Sequence, residues 1–149
     1  MKSYTFNEVE VGQKFSSYRI KITDFQIFSF AGITLDYNPL HVDDIFSKRS
    51  IFKSRIAHGM LISSIAVGIS GLIFAGTAIA LLESSMKYMK PVKVGETIWS
   101  ELEIINKKAS EKYNGGIITF SVIVKKEEGE VVAEGSFKVL VSNKIMYED

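Results

Sequence analysis

Two residues in this chain, Asp36 and His41, carry the chemistry of a proton-transfer pair. They lie five positions apart in the run Asp36-Tyr37-Asn38-Pro39-Leu40-His41-Val42-Asp43. A carboxylate and an imidazole that share one water can take a proton from it and hand one to carbon. Adding water to an activated acyl chain, or removing it, needs both acts. Imidazole titrates near pH ~6.5, so His41 can work in either direction at neutral pH. A second stretch, Ala57-His58-Gly59-Met60-Leu61, opens a long apolar run. A helix beginning at Gly59 would leave its first N–H groups unpaired at its positive end. Glycine also lets a ligand approach the backbone closely. A thioester carbonyl aimed there would find a donor for its developing enolate, a contact of the kind worth ~2.7–4 kcal/mol.

Each of these residues also has a plainer reading. Asp36 could cap the Asn38-Pro39 turn, because Asp and Asn bond their own backbone two residues on. His41 could be an ordinary loop histidine, and Gly59 could serve tight packing after His58. Asn38 reads first as a residue that fixes the loop and second as one that orients the water. His58 reads as hydrogen-bonded structure, and Asp43 as a helix N-cap or first-turn acid. No metal is expected: there are two His and no Cys, and no His pair at ligand spacing. Ser63 and Ser64 have no base near them in sequence, so a serine nucleophile is unsupported.

The elements that must position these groups are legible in the residue pattern. Residues 14–22 read as a strand. Thr23 and Gln26 then form a capping box, which starts a helix to about Gly32 with Phe25, Phe28 and Ile33 on one face. Residues 36–40 read as loop because of Pro39. Residues 43–48 suit one or two helical turns, and 49–57 are basic and irregular. The central helix spans Gly59 to about Phe74. Residues 60–82 carry no charge, a length at which a membrane span must be weighed. The serines, the glycines and the break at Gly76-Thr77 favour a helix covered on all sides by the rest of the fold. After it the period changes to two, with strands at 78–89, 97–105, 117–125 and 131–141. A hairpin turn is expected at Glu127-Glu128-Gly129-Glu130. The fold class is α+β: one antiparallel sheet wrapped around one long helix, in a single domain over 1–149.

Composition sets the outer limits. At 149 residues the chain buries roughly 70% of its unfolded surface, enough for a core without staples. Its 18 basic and 17 acidic side chains give a net charge of +1, which is no footprint for nucleic acid. The absence of Cys removes disulfide and thiolate chemistry. The N-terminal run Met-Lys-Ser-Tyr-Thr-Phe-Asn-Glu has no apolar signal core, so a cytoplasmic location is expected.

The stretches Phe30–Asp43 and Arg55–Leu61, with Tyr88-Met89-Lys90-Pro91-Val92-Lys93-Val94-Gly95-Glu96-Thr97 further on, together resemble the MaoC-like dehydratase family, which includes the R-specific enoyl-CoA hydratases. The resemblance covers nearly the whole chain. It implies a hotdog fold, a homodimer or dimer of dimers joined sheet edge to sheet edge, and an acyl-CoA thioester as substrate. By position, Asp36 and His41 match the family's catalytic pair, and Gly59 matches its oxyanion N–H. Leu35, Asn38, Arg55 and His58 become the expected substrate contacts. No cofactor is implied beyond the coenzyme A of the substrate, and neither nucleic acid nor membrane is an expected partner. The implied reaction is reversible hydration of a trans-2-enoyl-CoA to the R-3-hydroxyacyl-CoA. Dehydration of a branched or dicarboxylic hydroxyacyl-CoA is an alternative, with Arg55, Arg49 or Lys53 as the required cation. A non-catalytic acyl-CoA-binding subunit is another. Three departures bear on substrate choice. Leu35 stands where the family has Gly, Lys53-Ser54 where it has Gly-Gly, and Val67 near where some members carry Ser.

Overall fold

A computed structural model describes residues 2–146. Six antiparallel strands form one sheet: β1 (Lys14–Ser16), β2 (Ile20–Lys21), β3 (Ala78–Tyr88), β4 (Thr97–Ala109), β5 (Gly115–Lys126) and β6 (Glu130–Ser142). The order is β1-β4-β5-β6-β3, with β2 also on β4. The even residues of β4 and β5 point inward. Ile98, Leu102 and Ile104 are buried there with Ile118, Phe120, Val122 and Val124. Trp99, Glu101 and Glu103 take the other face and are at least partly exposed, as a period of two requires. The long helix α4 (Gly59–Ile73) packs against the sheet on β3, β5 and β6. Its Ile62, Ala66 and Ile73 join Phe74, Phe120 and Phe137 in the core, where the Phe120 and Phe137 rings stack at 5.1 Å.

Before α4 come three α-helices, α1 (Asp24–Thr34), α2 (Pro39–Val42) and α3 (Asp44–Arg49). The Thr23 capping box is present: the Thr23 N–H donates to Gln26 Oε1 at 2.8 Å. Asp43 caps α3, accepting from the Ile45 and Phe46 N–H groups. The β5–β6 turn places Glu128 and Gly129 at positive φ, +47° and +86°, as a tight hairpin demands.

Several expectations change. The strand expected at 14–22 breaks after Ser16. There the Ser17 hydroxyl takes the Ser100 N–H at 2.8 Å in place of a backbone carbonyl, and the chain bows out at Tyr18, which is exposed. Helix α1 turns Ile27 and Ala31 inward, leaving Phe25, Phe28 and Ile33 exposed; with apolar residues all round it, periodicity could not choose the face. Pro39 does not keep 36–40 as loop. It takes the first position of α2, where its missing N–H costs nothing, and Asn38 is the N-cap. In β6, Val132 bulges between the pairs Val124–Ala133 and Lys125–Val131, so both Val132 and Ala133 are buried. Helix α4 is not covered on all sides: Met60, Ser64, Gly68, Gly71 and Leu72 form an uncovered stripe. Among the described residues no helix is long and apolar enough to cross a membrane.

Candidate active site

The segment 55–57 hangs from the chain before β4: the Ala57 N–H donates to Val92 O at 2.7 Å and the Val94 N–H to Arg55 O at 3.0 Å. It in turn carries α2. The Ile56 N–H donates to Leu40 O at 3.2 Å, and His41 Nδ1 lies 2.7 Å from Ile56 O. A carbonyl only accepts, so Nδ1 holds the proton, and in neutral His41 the bare lone pair is on Nε2. That nitrogen lies 4.0 Å from Asp36 Oδ2. The distance is too long for a direct hydrogen bond and suits one oxygen bonded to both.

Asp36 is held at every other polar atom. Its N–H donates to Thr34 Oγ1 at 3.3 Å, and its Oδ1 accepts from the Asn38 N–H at 3.2 Å. Its carbonyl accepts from His58 Nε2 at 3.0 Å. Only Oδ2 is left for chemistry. His58 is 3% exposed. Its ring stacks on His41 with centroids 3.7 Å apart and is backed by Phe30 at 5.0 Å.

Gly59 is the first residue of α4, and His58 makes no side-chain cap. The Leu61 and Ile62 N–H groups turn to the His58 carbonyl. Among the described residues, those of Gly59 and Met60 find no acceptor. A cleft of about 410 Å³ brings Asp36, His41, His58 and Gly59 together, walled by Phe30 and Ser64. Gly59 also lines a second cleft of about 300 Å³ with Phe52, Tyr88, Pro91 and Val92. The Tyr88 ring lies so close that a Cβ on Gly59 would stand 3.2 Å from it.

The other expected substrate contacts stand outside both clefts. Asn38 accepts the Leu40 N–H at 3.0 Å. Leu35 is exposed and closes α1 with φ +62°. Arg55 is 6% exposed and hydrogen-bonds Asp24 and Asp44, the latter at 2.7 Å. Burial works against its charge, but these two carboxylates outweigh it and hold the guanidinium pKa above the ordinary arginine value. Arg49 and Lys53 are exposed and line neither cleft. Phe30, Ser64 and Tyr88 also line these clefts, and the sequence pattern does not mark them as doing so. Ser64 could have been found from the helix, lying one turn past Met60 on the same face, whereas Tyr88, which opens the family-like stretch 88–97, arrives at Gly59 from the end of β3.

Asp36, His41 and His58 have possible ligand atoms within 4.8 Å of one another, although their sequence spacing suggested no metal site. The stack argues against a shared ion. Two imidazoles bound at about 2.1 Å radiate from the metal, so even at a right angle their centres stand about 4.5 Å apart. At 3.7 Å the two rings are too close for that.

The pattern of α4 inside one antiparallel sheet, with an acid and an imidazole at its N-terminus, is a known one. A family model described as MaoC-like domain matches residues 6–126. The chain belongs to the MaoC-like family. It is 30% identical over 136 residues to the (R)-specific enoyl-CoA hydratase of Rhodospirillum rubrum, covering 91% of this chain and 90% of that one. Among solved structures, it is similar to a monoamine oxidase regulatory protein from Archaeoglobus fulgius, with a TM-score of 0.85 and 30% identity over 95% of this chain and 96% of that one. The unliganded R-hydratase of Pseudomonas aeruginosa gives a TM-score of 0.83 at 28% identity, over 94% of this chain and 86% of that one. The fold of this MaoC-like chain is the hotdog, and its reaction class is that of a hydro-lyase, which adds or removes water.

Proposed function

We propose that this chain reversibly hydrates a trans-2-enoyl-CoA to the R-3-hydroxyacyl-CoA. The observation that carries the reading is Asp36 Oδ2 facing His41 Nε2 at 4.0 Å, in a cleft shared with the unpaired N–H of Gly59. A water held between Oδ2 and Nε2 loses one proton to the pair as its oxygen bonds C3. Electrons move through C2 to the thioester oxygen, which the Gly59 N–H stabilises at the positive end of α4. The pair then gives a proton to C2. Hydroxyl and hydrogen come from the same side, so addition is syn. Nothing beyond the coenzyme A of the substrate is needed, because the pair supplies both proton transfers. The R outcome is supported by the (R)-specific relative. A dicarboxylic substrate finds no support: Arg55 is taken up by Asp24 and Asp44, and no cation lines the cleft beside Asp36.

In keeping with the family resemblance, the active form in this reading is a homodimer in the cytoplasm. The test is loss of enoyl absorbance with crotonyl-CoA and longer homologues. Turnover is expected in the parent, with a drop of ~10²–10⁴-fold in Asp36→Asn at unchanged thermal stability. No turnover of any enoyl-CoA by the parent would end the reading.

A further inference from the structure

The two clefts are separate but share Gly59. A thioester has two arms leaving one carbonyl carbon: the acyl arm through C2 and the carrier arm through sulfur. With its oxygen on the Gly59 N–H, the two arms would leave along these two clefts, which meet at that residue. The acyl arm has no choice, because C2 and C3 must lie within hydrogen-bond reach of Asp36 and His41 or of the water they hold. Those two side chains line only the cleft walled by Phe30 and Ser64. The other cleft is left for the sulfur and the chain attached to it.

The wall of that second cleft nearest Gly59 is Tyr88. Its ring packs against the Gly59 Cα, and its hydroxyl is fixed by Ser63 Oγ and reaches Met60 Sδ at 3.4 Å. Ser63 also donates to Gly59 O at 3.3 Å. The ring is thus tied at its far end to the first turn of the same helix whose N–H receives the carbonyl. Further along, Val92 and Pro91 give an apolar wall, and Lys90 at the mouth is ion-paired with Glu130. A cleft lined mostly by apolar side chains suits a flexible chain such as pantetheine better than a phosphate group.

Building on the hydration reading, we propose that Tyr88 is a specificity-determining residue for the carrier arm: its ring receives the sulfur and the first atoms of pantetheine, while acyl length is set in the other cleft, on the Phe30–Ser64 side. Pantetheine is common to coenzyme A and acyl carrier protein, so the assignment holds for either carrier.

The experiment uses the full chain and two ligands that vary one arm each. Free pantetheine, as a competitive inhibitor or in direct calorimetric titration, reports the carrier arm. The ratio of kcat/KM for crotonyl-CoA and octenoyl-CoA reports the acyl arm. Tyr88→Ala is expected to weaken pantetheine at least tenfold and leave the chain-length ratio within twofold. Ser64→Leu is expected to do the reverse. Tyr88→Phe, which keeps the ring and gives a second variant if the alanine form does not fold, is expected to hold pantetheine within about threefold of the parent. An unchanged pantetheine affinity in Tyr88→Ala, a changed chain-length ratio in that variant, or no pantetheine binding by the parent would each overturn the proposal. Tyr88-dependent pantetheine binding in a parent that turns over no enoyl-CoA would overturn the hydration reading and leave the carrier-arm role of Tyr88 standing.

Discussion

Leu35 and Lys53 occupy positions where the resembled family has glycine, and both are held at positive φ, +62° and +59°. The sequence marked the departures but not their physical meaning, since a dihedral angle is invisible in a residue string. An L side chain in the left-handed region costs about 1–2 kcal/mol. Leu35 bears this at the C-cap of α1, where its N–H closes on Ala31 O at 2.8 Å, one residue before Asp36. Its side chain is exposed, so little packing is lost on removing it. After allowing for the freedom glycine adds to the unfolded chain, Leu35→Gly is expected to stabilise by about 0.5–1 kcal/mol. That is a rise of roughly 2 °C in midpoint by thermal melting. Unchanged or lowered stability would show that Leu35 makes contacts that offset the strain. His41 gives the opposite lesson. Its type and its spacing from Asp36 were legible, and its tautomer became so only when Ile56 O appeared beside Nδ1.

At the scale of elements, the site depends on how α1, α2 and α3 are tied together, and the tie is Arg55. It reaches Asp24 at the start of α1, Asp44 at the start of α3 and, at 3.3 Å, the His41 carbonyl in α2. The sequence offers Arg55 as a substrate contact, and its hydrogen bonds to Asp24 and Asp44 appear only in the fold. The Arg55 hydrogen bond and charge hold the Asp44 carboxyl below the ordinary aspartate range. A lowered folded-state pKa means stability that is full above the unfolded value of about 3.9. It declines as pH falls through that value and is gone below the folded one. Urea titrations from pH 7 to pH 2.5 are therefore expected to show a smaller acid-induced loss of stability in Asp44→Asn than in the parent. The variant is also expected to be less stable than the parent at pH 7. Equal acid sensitivity in the two would show that the contact contributes nothing.

At the scale of the whole molecule, β3 is bonded to β6 on one side only. Leu81 and Leu82, half exposed, stand on this unpaired edge. An open edge with apolar residues is a template for pairing with another chain. The expected solution species is a dimer, twice the 16.7 kDa chain mass, by light scattering. Leu81→Lys with Leu82→Lys is expected to shift it to monomer, since lysine on an edge opposes pairing. A parent that runs as a monomer at micromolar concentration would contradict the dimer. The same scale explains the uncovered stripe on α4. Its lack of charge announced burial, but one sheet and three small helices do not reach around a 15-residue helix.

The chain by itself determined the α+β class, the four long strands, the span of α4 and the residue types of the Asp36–His41 pair. These rest on periodicity, capping and side-chain chemistry, which are local and survive in a linear string. Only the tertiary structure decided which atom of Asp36 is free, which nitrogen of His41 is bare, and that Arg55 is bonded to Asp24 and Asp44. It alone brought Tyr88 to Gly59. Those facts depend on segments 15 to 31 residues apart meeting at hydrogen-bond distance, and no local pattern encodes such a meeting.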